Sequence, residues 1–397
     1  MRKYKVKEIV KEISERENSP STSVYKRFVG LEHYESGNVE IKQSGSVDRL
    51  ESAMKVFKDG DILIARRNVY LRRAGVVHFS GLTSGDSIVL RPINQEIKDI
   101  LPFVFNSDSF WDFANRFADG SMSKRLSPKT LMEYEFVLPE GIDLKQLTDL
   151  LWAAYDLKES YKKLLVASDE MAKSRFVEMF GDLSYNPKQW RVLSVNQAVS
   201  EGIIEKPLDG NHGGKHPKAT DYVDSGIPFV MANDLRPDGI IDYDKCSFIT
   251  EKQALGLDKG FAKNGDVLLT HKGTIGRTAI VKSPYPFIML TPQVTYYRPK
   301  SKLIASFLKA YFDSDCFQSE IKRIASIGST RAYIGITAQL DLKLVVPPLS
   351  LQNEFAVFIE QLDKSKVALQ KSITALDDTI KTILHKNFFC EEENNNA

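Results

Sequence analysis

Contact with nucleic acid starts from cations and amide donors carried on loops, and this chain sets out such groups twice. Residues 66–73 read RRNVYLRR and residues 271–277 read HKGTIGR, each directly after a short apolar run opened by Gly-Asp. Residues 60–75 hold four Arg and one Asp, and residues 263–282 hold four Lys or Arg and one Asp, whereas the whole chain has 54 Lys and Arg against 52 Asp and Glu. Cations grouped in this way can meet phosphates, and Arg or Asn at a loop tip has the geometry to read guanine or adenine edges. A solvated charged face is the plainer use of the same residues. The candidates are Arg66, Arg67, Asn68, Tyr70 and Arg72 in the first stretch, and His271, Lys272, Thr274 and Arg277 in the second. A further pair of loops, residues 121–125 (SMSKR) and 328–333 (GSTRAY), adds Lys124, Arg125, Arg331 and Tyr333.

Residues 209–218 (DGNHGGKHPK) display His212, Lys215 and His216 on a glycine-rich backbone, and Asn233 follows. The two histidines are four apart, yet the glycines and the proline prevent a helix from presenting both imidazoles on one face, so no metal site is expected. Close backbone approach to DNA suits this loop better, with an ordinary polar surface loop as the alternative. Catalytic patterns are missing: no phosphate loop, no dinucleotide fingerprint, no H-E-x-x-H and no C-x-x-C occurs. An ATPase, a dinucleotide-binding enzyme or a zinc hydrolase therefore has no foothold.

The elements that must carry these loops also come in two copies. GDILIA at residues 60–65 returns as GDVLLT at 265–270, LRP at 90–92 as YRP at 297–299, and FVLP at 136–139 as LVVP at 344–347. Each copy ends in a heptad pattern. Phe355, Ile359, Leu362, Leu369, Ile373, Leu376, Ile380 and Ile383 follow 4-3 spacing, broken only by Lys366, and Leu150, Leu157, Leu164 and Met171 recur every seven residues at an offset of 205. Two helices of roughly 57 Å are implied at 1.5 Å per residue. The economical partner for each is the other, antiparallel; packing on its own domain or against a second chain are the alternatives. The fold class expected is α+β, with two tandem mixed α/β domains at 1–142 and 182–349. Long helices follow at 143–181 and 350–390, and a disordered acidic, Asn-rich tail closes the chain at 391–397.

With 42% hydrophobic and 27% charged residues in 397, and a net charge of +2, any nucleic-acid site has to be a local patch. Cys246, Cys316 and Cys390 are too few and too scattered for a disulfide framework. No long apolar run and no signal-like start is seen, so a cytoplasmic protein without a membrane partner is expected.

Residues 227–242 (IPFVMANDLRPDGIID), 265–277, 291–299 (TPQVTYYRP) and above all 328–355 (GSTRAYIGITAQLDLKLVVPPLSLQNEF) carry a resemblance to the specificity (S) subunit of type I restriction-modification systems. The first half repeats the pattern more weakly. The resemblance implies a non-catalytic subunit in which each recognition domain reads one half of a bipartite double-stranded DNA target. It implies that the helices set the gap and hold two methylation subunits, with S-adenosylmethionine, ATP and Mg belonging to the methylation and restriction subunits. One departure is the stretch 209–218, which nothing in the first half matches. Two other classes remain open at this point: a stand-alone DNA methyltransferase or nuclease, and a coiled-coil scaffold that binds proteins.

Overall fold

A computed structural model describes residues 2–120, 123–138, 140–325 and 332–387. The chain divides into two compact units, one formed by the residues up to Lys163 together with those from Gln370 onward, the other by Leu164–Leu369. In the first unit, strands β1 (Val10–Glu12), β2 (Ile62–Ala65), β3 (Ala74–Val76) and β4 (Ser87–Pro92) form an antiparallel sheet in the order β1-β4-β2-β3, and helix α1 (Asp108–Phe117) follows them. Helix α2 is Leu144–Phe180. In the second unit, β5 (Leu208–Asp209), β6 (Val267–Lys272), β7 (Thr274–Ile280) and β8 (Val294–Tyr297) repeat the order as β5-β8-β6-β7. Helix α3 (Ala305–Asp313) comes next, and helix α4 is Leu349–Asn387. Each unit also has a second sheet built round one parallel pair, Arg27–Val29 with Gly81–Thr83 and Ile227–Val230 with Ile288–Leu290.

The phrases that recur in the sequence meet in space. The Asp61 carboxylate, 1% exposed, accepts two hydrogen bonds of 2.7 Å from Arg91, and Asp266, also 1% exposed, accepts two of 2.7 Å from Arg298. A buried carboxylate is tolerated when a bidentate guanidinium satisfies it, so Gly-Asp and Arg-Pro recur as the two halves of a clasp between neighbouring strands. Gly60 and Gly265 open these strands at φ +83° and +89°, a left-handed conformation that costs glycine least. A second clasp is shared as well: Arg73 donates to the Leu31 carbonyl at 3.1 Å and Arg277 to the Leu235 carbonyl at 2.9 Å.

The long helices do not stand apart as spacers with cores of their own. The start of α2 and the end of α4 belong to the core of the first unit, where Leu147, Leu151, Tyr155, Ile380 and Leu384 pack with Phe103, Trp111 and Phe136. The end of α2 and the start of α4 do the same in the second, where Phe176, Met179, Phe180 and Phe355 surround Phe307. The helices pair antiparallel: Lys158 meets Asp377 at 2.9 Å in the first unit, and in the second Asp169 meets Lys366 and Arg175 meets Glu354 at 2.7 Å. Lys366, the break in the apolar series, is thus an ion-pair position.

The seam on α4 follows the expected residues, with Phe355, Ile373 and Ile380 buried and Ile359, Leu362, Leu369, Leu376 and Ile383 half-buried. The seam expected on α2 is corrected. Leu150, Leu157, Leu164 and Met171 lie outside it, at 53%, 43%, 50% and 54% exposure. The covered face runs through Leu147, Leu151, Tyr155 and Lys158 in one unit and Leu165, Ala172, Phe176 and Met179 in the other, one residue further along. The apolar period misleads here because the covered face accepts Lys158, which Asp377 neutralises, and Tyr155, whose hydroxyl donates to Asn38 at 2.5 Å. Leu151 then matches Phe355, and Phe176 matches Ile380, so the offset between the helices is 204 and not 205.

Candidate nucleic-acid interface

Each unit knits the loop after its Gly-Asp strand to a second loop that arrives from far along the chain. In the first unit Asn68 N–H donates to the Lys124 carbonyl at 2.9 Å, Leu126 N–H donates to the Arg66 carbonyl at 2.8 Å, and Arg67 bridges Arg125. In the second, Gly273 N–H donates to the Ala332 carbonyl at 3.3 Å, Ile334 N–H donates to the His271 carbonyl at 3.0 Å, and Lys272 bridges Tyr333. Arg66, Arg67 and Asn68 therefore correspond to His271, Lys272 and Gly273, and Lys124 and Arg125 correspond to Ala332 and Tyr333. The sequence pairing of Arg125 with Arg331 gives way to Arg125 with Tyr333; Arg331 itself lies outside the described residues.

The first unit brings all seven of its candidates to one surface. Arg67 is exposed, its Nε donating to Ser123 at 3.2 Å and its guanidinium 3.8 Å from Asp86. Arg125, also exposed, stands 3.4 Å from the other oxygen of Asp86. Arg66 is half-buried, and its Nε has no partner among the described residues. Lys124 donates to the Asn115 carbonyl at 2.9 Å. Asn68 and Arg72 bracket a short turn at φ +56° and +49°, with Tyr70 at its tip, 61% exposed. Arg72 is held by Asp108 and lies 3.9 Å from Asp112, at the start of α1. The restraining acids Asp86, Asp108 and Asp112 and the serine Ser123 were not among the sequence candidates. The acids lie too far along the chain from Arg67, Arg72 and Arg125 for spacing to reveal them, whereas Ser123 sits within the 121–125 stretch itself.

The second unit divides its candidates. Lys272 and Thr274 are exposed, and Tyr333 is 43% exposed with the Lys272 ammonium 5.8 Å from its ring centre. His212 and Asp209 are joined at 2.7 Å, Lys215 and Asp258 at 2.8 Å, and His216 packs against Phe229 with ring centres 5.5 Å apart. Burial would push the Asp209 carboxyl up, but Lys259 and His212 outweigh it and hold the group below the usual carboxylate range. Asn233 is exposed. One candidate, His271, is corrected. His271 is fully buried: its Nδ1–H donates to the Ile334 carbonyl at 3.0 Å and its Nε2 has no partner among the described residues. Burial, opposed by the Asp209 charge and the Ile334 hydrogen bond and aided by His212 and Lys272, lowers its pKa to about 4, so the ring is neutral near pH 7. Arg277 is half-buried and spends one guanidinium nitrogen on the Leu235 carbonyl, as Arg73 does on Leu31. His271 and Arg277 lie on paired strands of a sheet covered on both faces, with residues 267–271 all buried, so place in the sheet and not charge decides their exposure.

Among the described residues no group of three or more His, Cys, Asp or Glu side chains is placed to hold a metal ion. None of their helices is long and apolar enough to cross a membrane.

Residues 201–376 match the family described as the type I restriction modification DNA specificity domain. Over these residues the chain is similar to the DNA specificity domain of type I restriction-modification systems. Among solved structures, the type I restriction-modification S subunit from M. genitalium shares 12% identity at a TM-score of 0.57, covering 98% of this chain and 96% of that one, and shows a common fold. Two others resemble it more loosely. A chain from work on complex assembly and conformational transition of the type I R-M system has 18% identity, coverage of 97% and 96%, and a TM-score of 0.49. The HsdS subunit from Thermoanaerobacter tengcongensis has 17% identity, coverage of 97% and 95%, and a TM-score of 0.39. No curated protein matches the chain.

Proposed function

We propose that each unit of this type I specificity protein reads one half of a bipartite duplex DNA target, while the paired helices set the gap and hold two methylation subunits. The observation that carries this reading is the duplicated loop pair, 66–68 with 124–126 and 271–273 with 332–334. The same backbone ladder presents different side chains in the two copies: Arg67 and Arg125 in one, Lys272 and Tyr333 in the other. One scaffold with two sets of tips suits two different half-sites. The apolar stripe of Leu150, Leu157, Leu164 and Met171 on α2 supports a role in assembly, since its period is that of a partner helix. Methylation and restriction subunits would supply S-adenosylmethionine, ATP and Mg, and the cytoplasm is where such a complex would meet DNA.

The test is a pair of variants in the assembled complex. Lys272→Ala with Tyr333→Ala should lower discrimination at one half-site by roughly ten- to a hundredfold and leave the other within about twofold, measured by competition binding with half-site substitutions. Equal loss at both half-sites would sink the two-reader assignment. Turnover by the isolated chain would favour a complete enzyme, and an assembled complex without salt-dependent, sequence-selective duplex binding would favour a protein scaffold.

A further inference from the structure

The tip of the first unit's loop differs from its counterpart in a way that charge does not explain. The second unit turns between two glycines in left-handed conformation, Gly273 at φ +76° and Gly276 at φ +87°, with Thr274 and Ile275 between them. The strand register matches these glycines to Asn68 at φ +56° and Arg72 at φ +49°, so the first unit holds the same conformations without glycine. It also inserts one more residue, and the three are Val69, Tyr70 and Leu71. Left-handed backbone at an arginine costs stability and persists where the surroundings enforce it. Here Asp108 and Asp112 hold the Arg72 side chain, Val69 is 1% exposed in the core, and the Leu71 and Arg72 amides close the turn on Asn68 and Val69 at 2.9 and 3.0 Å. The effect is to hold Tyr70 outward at 61% exposure beside Leu71 at 38%, on the turn that follows Arg66 and Arg67, whose loop is hydrogen-bonded to the segment of Lys124 and Arg125; Arg67 and Arg125 share one acid, Asp86. An apolar pair on a fixed turn within a cationic collar fits a duplex whose phosphates meet the collar while the tip presses on a base step.

We propose that Tyr70, backed by Leu71, is a wedge that unstacks one base step in the half-site read by the first unit, so that this half-site is selected in part by how readily that step opens. The proposal rests on the DNA-reading assignment and adds a deformation to it. The test uses the assembled methylation complex and a duplex bearing the target defined by methylation mapping, with 2-aminopurine placed in turn along that half-site. Fluorescence should rise at one step other than the methylated base. Tyr70→Ala should abolish the rise and weaken binding roughly tenfold, Tyr70→Phe should keep both, and a mismatch that opens the step beforehand should restore binding to Tyr70→Ala. Because Tyr70 is exposed, the thermal midpoint should not move with either substitution. An unchanged fluorescence pattern in Tyr70→Ala, or a loss of binding that the mismatch does not repair, overturns the wedge while leaving the DNA-reading assignment standing. A complex that binds neither half-site selectively overturns both.

Discussion

His271 shows how the role of a residue follows from the side of the sheet it occupies. Its position after the Gly-Asp strand suggests a base contact, but the side chain points into the unit and ties the 332–334 segment to β6. Its partnerless Nε2 cannot take a proton without placing a charge in the interior. The imidazole pKa falls from the ordinary 6.5 to about 4 on folding, so the unfolded chain binds the proton first as pH drops. Stability from this group is intact above about pH 6.5 and is lost progressively towards pH 4, a change on the order of 3 kcal/mol. Urea denaturation across that window should show the decline in wild type and a flatter profile in His271→Leu. Equal slopes in the two proteins would show that His271 is not the titrating group.

The paired helices show how ion pairs decide a seam that hydrophobicity alone would misplace. Lys158 is 7% exposed and faces Asp377, 44% exposed, at 2.9 Å. Removing one member leaves the other charge poorly compensated, so Asp377→Ala should cost roughly 2 kcal/mol, while Lys158→Met with Asp377→Leu should be near neutral. By contrast, Leu157→Gln, on the open face, should change the stability of the free chain by less than about 0.5 kcal/mol. Denaturant titration of the three variants separates the two registers. A large cost for Leu157→Gln together with no cost for Asp377→Ala would restore the seam that the leucine spacing suggests.

For the whole molecule, the proposed function makes the repeat two readers joined by helices, and the length of the helices then bears on the target. Inserting four residues into both long helices lengthens each by about 6 Å at 1.5 Å per residue, close to two base-pair steps. Methylation mapping should then report a target with the same half-sites and a gap longer by about two pairs; an unaltered gap would contradict the spacing role. Much of this plan was legible in the sequence. Gly-Asp and Arg-Pro stand out as short phrases that recur, and each pair closes the same bond between strands, Asp61 with Arg91 and Asp266 with Arg298 at 2.7 Å. The duplication, the α+β class and the long helices follow from such short-range signals, which one chain displays in order. What the tertiary structure alone decided are the matters that depend on facing: which stripe of α2 is covered, that His271 is buried, that Arg277 clasps Leu235, and that Asp86 restrains Arg67 and Arg125. Spacing along a chain tells which residues share a face, but only packing against residues far away tells what that face meets.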